Sequence, residues 1–251
     1  MNGLNTSLAM INADLRTLAR DNFLATVAGL TGLLLLGISI AGIYRDALGL
    51  NHLQPWIPYI LIMFLISNVA TYGMLFGLVF VEEVETRVRA ALAVIPVTLF
   101  KQTLIRTMSV FFWLIIQPVL FAGTVAAGWD AVPFGVLEWF FLSVSLAPLG
   151  AVFMIVLSTV ASNRVEALAM GKFFSAATIP PMLLYLIAED AWYRSLFLIF
   201  PTTPAVEAFE AFRTNDTTVA ILWLVAGVTY ALALGAYAMR RHIRKSYMIS
   251  A

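Results

Sequence analysis

The chain has 251 residues, 61% of them hydrophobic and only 12% charged, with a formal net charge of +1. Soluble domains carry roughly 25% charged residues, so this composition excludes a water-soluble globular protein and identifies an integral membrane protein. The chain contains no cysteine, which excludes disulfides, covalent haem attachment and thiolate metal sites.

Residues 1–21 are fairly polar and contain Asp14, Arg16, Arg20 and Asp21. They lack the charged start, apolar middle and small-residue cleavage site of a signal peptide, so the first span is expected to be retained. Leu8, Ile11, Leu15 and Leu18 recur at steps of three and four, which predicts an amphipathic helix over 7–20 at a membrane surface. Six apolar runs long enough to span follow, over about 22–44, 56–80, 104–127, 133–161, 167–188 and 217–239. Between the fifth and sixth, "EDAWYRSLFLIFPTTPAVEAFEAFRTND" is too short in its apolar part to cross; it reads as two short helices broken at 201–204, re-entering the outer leaflet.

Loops this short leave no room for a separate soluble domain, so residues 1–251 read as one all-α polytopic domain. Six spans place both termini on one side. Of the fifteen Lys and Arg residues, twelve fall on that side and three, Arg45, Arg194 and Arg213, on the other. The positive-inside rule therefore predicts cytoplasmic termini.

The segment 80–102, "FVEEVETRVRAALAVIPVTLFKQ", concentrates charge in a chain that has little. As a helix it gathers Val81, Val84, Val88, Leu92 and Ile95 on one stripe and sets Glu82, Glu83, Glu85, Arg87 and Arg89 mostly elsewhere. Glu83 with Arg87 and Glu85 with Arg89 form i,i+4 pairs in the favourable order. Pro96 limits the helix. Periodicity leaves two readings open: an ordinary interfacial helix, or a docking helix that passes movement from a soluble motor to the spans.

The segment resembles the cytoplasmic loop of ABC export permeases of the type-two class. Glu82, Glu83, Glu85, Leu92, Pro96 and Val97 match that loop, and Arg106 stands about where the family usually has a lysine. Arg87 and Val88 depart from it, since many members carry Gly-Thr there. The layout is also similar along the whole chain: amphipathic N-terminal helix, six spans, glutamate-rich loop after the second, "SNRVEALAMGK" entering the fifth, and an outer re-entrant loop before the sixth. The resemblance implies a bacterial inner-membrane exporter in which two such permeases, identical or related, pair and two soluble ATPases dock beneath them. ATP and Mg would be bound by those partners and no cofactor by this chain. Glu82, Glu83, Glu85, Arg87 and Arg89 would be the docking contacts, and spans one, two and five would line the path. Scarce polar groups there suit a hydrophobic or amphipathic cargo such as a drug, an antibiotic or a lipid-like molecule. The surroundings would be membrane lipids, with no nucleic-acid partner.

Other signals weigh less. "AMGKFF" around Lys172 lacks both the leading glycine and the Ser or Thr of a phosphate-binding loop, having Glu166 and Phe173 there. Gly37-x-Ser39 resembles an intramembrane protease motif but needs a histidine nearby, and the two histidines, His52 and His242, read as outer-loop and tail residues. A small-residue helix contact through Gly29, Gly32, Gly37, Ser39 and Gly42 is the simpler reading. Glu138 stands either two turns inside the fourth span or at its rim, and Asn68, Thr71 and Tyr72 either line a substrate path or bond a neighbouring helix. Pro118, Pro148, Pro180 and Pro181 predict kinks. The alternative functions are an ATP-independent six-span carrier or an intramembrane enzyme. No convergent catalytic groups support the enzyme, and the "IPP" break has no counterpart in the first three spans to support the carrier.

Overall fold

The computed structural model describes residues 12, 16, 19–86, 99–126, 128–129, 135–188 and 191–250, and among these the regular structure is helical, without strands. The α-helices are α1 (Asn22–Ile43), α2 (Ile57–Glu85), α3 (Leu99–Ala126), α4 (Val136–Val160), α5 (Arg164–Thr178), α6 (Thr203–Arg213) and α7 (Thr217–Ser250). Shorter 3-10 helices cover Asn51–Trp56, Pro180–Leu186 and Trp192–Ile199. Six stretches of the described residues are long and apolar enough to cross a membrane, at the places the sequence predicts.

Helix ends follow from local chemistry. Asp21 caps α1, its Oδ1 accepting from the Leu24 N–H at 3.0 Å. Asn163 caps α5 by accepting from the Glu166 N–H at 2.9 Å, while Glu166 reaches back to the Ser162 N–H at 2.7 Å. Prolines at 180 and 181 lack the N–H groups that would continue α5, so it stops at Thr178 and the chain proceeds as a 3-10 helix. The Thr178 carbonyl is met by the Thr202 hydroxyl at 3.2 Å. Asn215, with φ of 62°, ends α6 in a Schellman arrangement whose bonds run from Asp216 N–H to Ala211 O and from Asn215 N–H to Phe212 O. Asp216 then caps α7 through the Val219 N–H.

The centre of the bundle is α2 against α4. Buried residues make up 78% of the apolar stretch containing α2 and 72% of that of α4, against 17% to 28% for the other four, which surround the pair. The two axes approach closely because Gly73 and Gly77 carry no side chain: a Cβ on Gly73 would lie 2.6 Å from the Gly150 carbonyl, and one on Gly77 would lie 2.8 Å from Leu157 Cδ2. Serines and threonines buried on α4 return their hydroxyls to carbonyls of the preceding turn, as Ser143 does to Trp139 at 2.8 Å.

Two sequence expectations are corrected. Among the described residues, a Cβ added at Gly29, Gly32 or Gly37 would meet nothing within 4 Å, and the close small-residue contact inside the chain lies on α2. The exceptions in α1 are Gly42, packed on Trp129, and Ser39, bonded to Thr124 at 3.0 Å. The supposed tail after 239 continues α7 to Ser250, and His242 within it is buried. Of the expected N-terminal amphipathic helix, Asn12, Arg16, Ala19 and Arg20 are described and helical; the rest lies outside the described residues, as do Arg87, Val88, Arg89, Leu92, Pro96 and Val97.

Candidate functional site

Glu82, Glu83 and Glu85 occupy the last turns of α2, which runs on past its apolar part without a break. Glu83 is gripped by Arg106 of α3, whose Nη1 and Nη2 donate to its two oxygens at 2.7 and 2.5 Å. A planar guanidinium matches a carboxylate in this two-pronged way, which fixes orientation as well as charge. The same guanidinium lies 4.6 Å above the Phe80 ring, and Phe80 meets the His242 ring edge-on at 6.1 Å.

His242 Nδ1 in turn lies 3.2 Å from Ser158 Oγ and 3.1 Å from Thr159 Oγ1. Both hydroxyls are already within bonding distance of the Ile155 carbonyl, at 2.9 and 2.7 Å, and a carbonyl only accepts. With both hydroxyl protons on Ile155, a proton on Nδ1 would be shared between the two oxygens; the other tautomer would accept from one of them. One connected layer thereby joins the ends of α2, α3, α4 and α7. No local pattern signalled this role for His242, which required knowing that α7 continues and lies against α4.

Glu85 turns the other way and accepts from the Arg164 N–H, the first of α5, at 3.2 Å. The Arg164 side chain reaches Asp21 Oδ2 at 2.5 Å. Glu82 is half-buried and makes no side-chain hydrogen bond or ion pair among the described residues. Of the five expected docking residues, three are thus gathered at the end of α2, while Arg87 and Arg89 lie outside the described residues.

Midway along the bundle, Asn68 is buried and its Nδ2 donates to Gln117 Oε1 at 3.1 Å, the neighbouring-helix bond that the sequence left as one of two readings. Gln117 had no signal of its own beyond preceding Pro118. Tyr72 is buried with its ring edge-on to Trp113 at 6.0 Å, and Thr71 is half-buried. The crevice beside Asn68, between Leu35, Leu61, Pro118, Phe121 and Trp139, encloses about 10 Å³, room for about one water molecule. Glu138 stands in the first turn of α4, where a helix N-terminus favours negative charge.

The family described as "Fluoroquinolones export permease protein Rv2686c-like" matches residues 14–239. The chain belongs to that family. It is therefore a multi-pass membrane permease and a transport protein rather than an enzyme. No curated protein matches it.

At the other end of the permease, the segment before α7 folds as the two expected short helices, the 3-10 helix Trp192–Ile199 and α6. Arg194 holds them together: its Nε and Nη2 donate to Glu207 at 3.0 and 2.9 Å, and its Nη1 reaches the Leu184 and Ile187 carbonyls at 3.5 and 3.4 Å. Thr203 Oγ1 closes the turn onto the Phe197 carbonyl. Arg213 pairs with Glu210, whose hydrogen bond raises the arginine's pKa. Buried Phe209 gathers Tyr59, Trp139 and Tyr185 around itself at 6.1 to 6.4 Å.

Proposed function

We propose that this permease is the membrane subunit of an ATP-driven exporter of fluoroquinolone-like amphipathic drugs, acting in a bacterial cell membrane with both termini in the cytoplasm. The family match over 14–239 carries the reading, and the charged end of α2 supports the coupling role. A separate soluble ATPase binds ATP and Mg and docks on Glu82, Glu83 and Glu85 with Arg87 and Arg89 of the following loop. Glu82 is the cleanest contact, because Glu83 and Glu85 are already engaged within the chain.

A second permease, identical or related, completes the path. Drug-sized pockets take about 300 to 1,000 Å³, and the crevice beside Asn68 is far smaller. The cargo passes outside that crevice, between subunits or along faces now turned to lipid, with Asn68, Thr71 and Tyr72 at the depth of the middle of the route and Glu138 at its outer end. The hairpin pinned by Arg194 enters the outer leaflet, its exposed Trp192, Leu196 and Ile199 facing acyl chains.

The test is affinity purification of the tagged permease from native membranes in mild detergent, with mass spectrometry of what accompanies it. An ABC ATPase should copurify with the native chain and be depleted by E82K, which leaves the Glu83–Arg106 pair intact. Repeated absence of any ATPase from complexes that retain other membrane partners would refute the ATP-driven reading.

A further inference from the structure

We infer that Arg164 is the positioning residue through which the acidic end of α2 moves α1. The inference rests on the exporter reading for its functional part and on three contacts for its physical part.

Arg164 is the first residue of α5, and its backbone N–H points out of that helix, where the first-turn donors have no partner of their own. Glu85 of α2 fills that place at 3.2 Å, so the end of α2 acts as an anionic cap on α5. The Arg164 side chain extends to Asp21 Oδ2, and the other oxygen of Asp21 caps α1 through Leu24. One arginine, by its backbone on one side and its guanidinium on the other, thus joins three helix ends that the sequence separates by more than a span each.

Only 17% of the apolar stretch of α1 is buried, and among the described residues a Cβ at Gly29, Gly32 or Gly37 would meet nothing within 4 Å. Its far end is fixed to α3 by Ser39 to Thr124, and to the residues after α3 by Trp129 Nε1 to the Ile38 carbonyl at 2.9 Å and, just past α1, by Arg45 to the Gly128 carbonyl at 3.2 Å. A rod displaced at one end and held at the other tilts. Displacing the end of α2 carries α5 through Glu85, α1 through Arg164 and Asp21, and the near part of α3 through Glu83 and Arg106, while the far ends of α1 and α3 stay joined through Ser39 and Thr124.

Substitution of Asp21 by Asn isolates the charge from the cap, because Asn caps a helix about as well as Asp. Spin labels at N22C and V165C, both exposed positions in a chain free of native cysteine, read the separation of the two helix ends in lipid nanodiscs. The native background should give one narrow distance. R164Q and D21N should broaden it, and the exchange D21R with R164D should narrow it again. Export of a fluoroquinolone, followed by its own fluorescence, should fall about fivefold in each single variant and recover in the exchange. Unchanged distances in R164Q and D21N, or full export by both, would overturn the inference. Distances that stay narrow in the native chain and broaden in R164Q and D21N, when the native chain itself moves no drug, would uphold the tie and count against the exporter reading alone.

Discussion

Arg106 and Glu83 face each other across α3 and α2 as a two-pronged ion pair, with side chains 8% and 15% exposed. Removing one partner leaves a charge in a place built for two, which costs more than the pair itself contributes. E83A and R106A should each lower the unfolding free energy by about 2 to 4 kcal/mol, and E83L with R106L should recover much of that. Thermal unfolding in detergent measures it; equal losses in the single and double variants would show that the charges are solvated.

The Gly73 and Gly77 contact predicts a steep size dependence. G73V must push α2 away from a backbone carbonyl that has no rotamer to change, so a loss of about 3 kcal/mol or failure to fold is expected. G32A, on the open face of α1, should leave the isolated chain as stable as the native one. Size-exclusion profiles and melting temperatures of the pair provide the comparison.

A proton on His242 Nδ1 would distinguish two substitutions of similar size. H242N keeps a donor near the position of Nδ1, and should cost less than H242Q, whose amide reaches toward the Nε2 position. A difference of about 1 kcal/mol is expected, the usual net worth of a hydrogen bond. Equal melting temperatures would count against a donor at Nδ1.

Arg194 predicts a local effect. R194Q loses both bonds to Glu207 and should speed amide exchange over 192–213 by about tenfold, leaving α2 and α4 protected. Uniform acceleration through the bundle would mean that the hairpin and the core unfold together.

Orientation is testable with exposed positions at opposite ends. Single cysteines at Thr86 and Leu48 should react with membrane-impermeant maleimide from opposite faces, Thr86 from the cytoplasmic one. Reaction of both from one face would remove the proposed topology and the docking site with it.

The six spans were legible because each is a continuous apolar run; Pro180 and Pro181 were read as a kink where they end α5, and the caps Asn163 and Asp216, although local, were not read. Which spans are central was not legible either. In a bilayer the lipid-facing surface is as apolar as the core, so hydropathy treats exposed Leu33 of α1 and buried Leu75 of α2 alike. The glycines of α1 looked like a packing seam for the same reason, while the equally visible Gly73-x-x-x-Gly77 is the one used. The glutamates after Phe80 were found by their density, but their partners were not. Arg106 and Arg164 lie 23 and 79 residues from the glutamates they meet, and no local spacing rule connects them.

The unbroken run of α7 has a mechanical consequence. Its 34 residues make a rod about 50 Å long, some 20 Å more than the hydrocarbon core is thick. Arg241 and Arg244, both exposed, fall in the part of the helix that exceeds the hydrocarbon length. A fluorophore fused there would be carried clear of the bilayer, and small changes in the tilt of the last helix would be enlarged at its tip into a signal readable while the protein works.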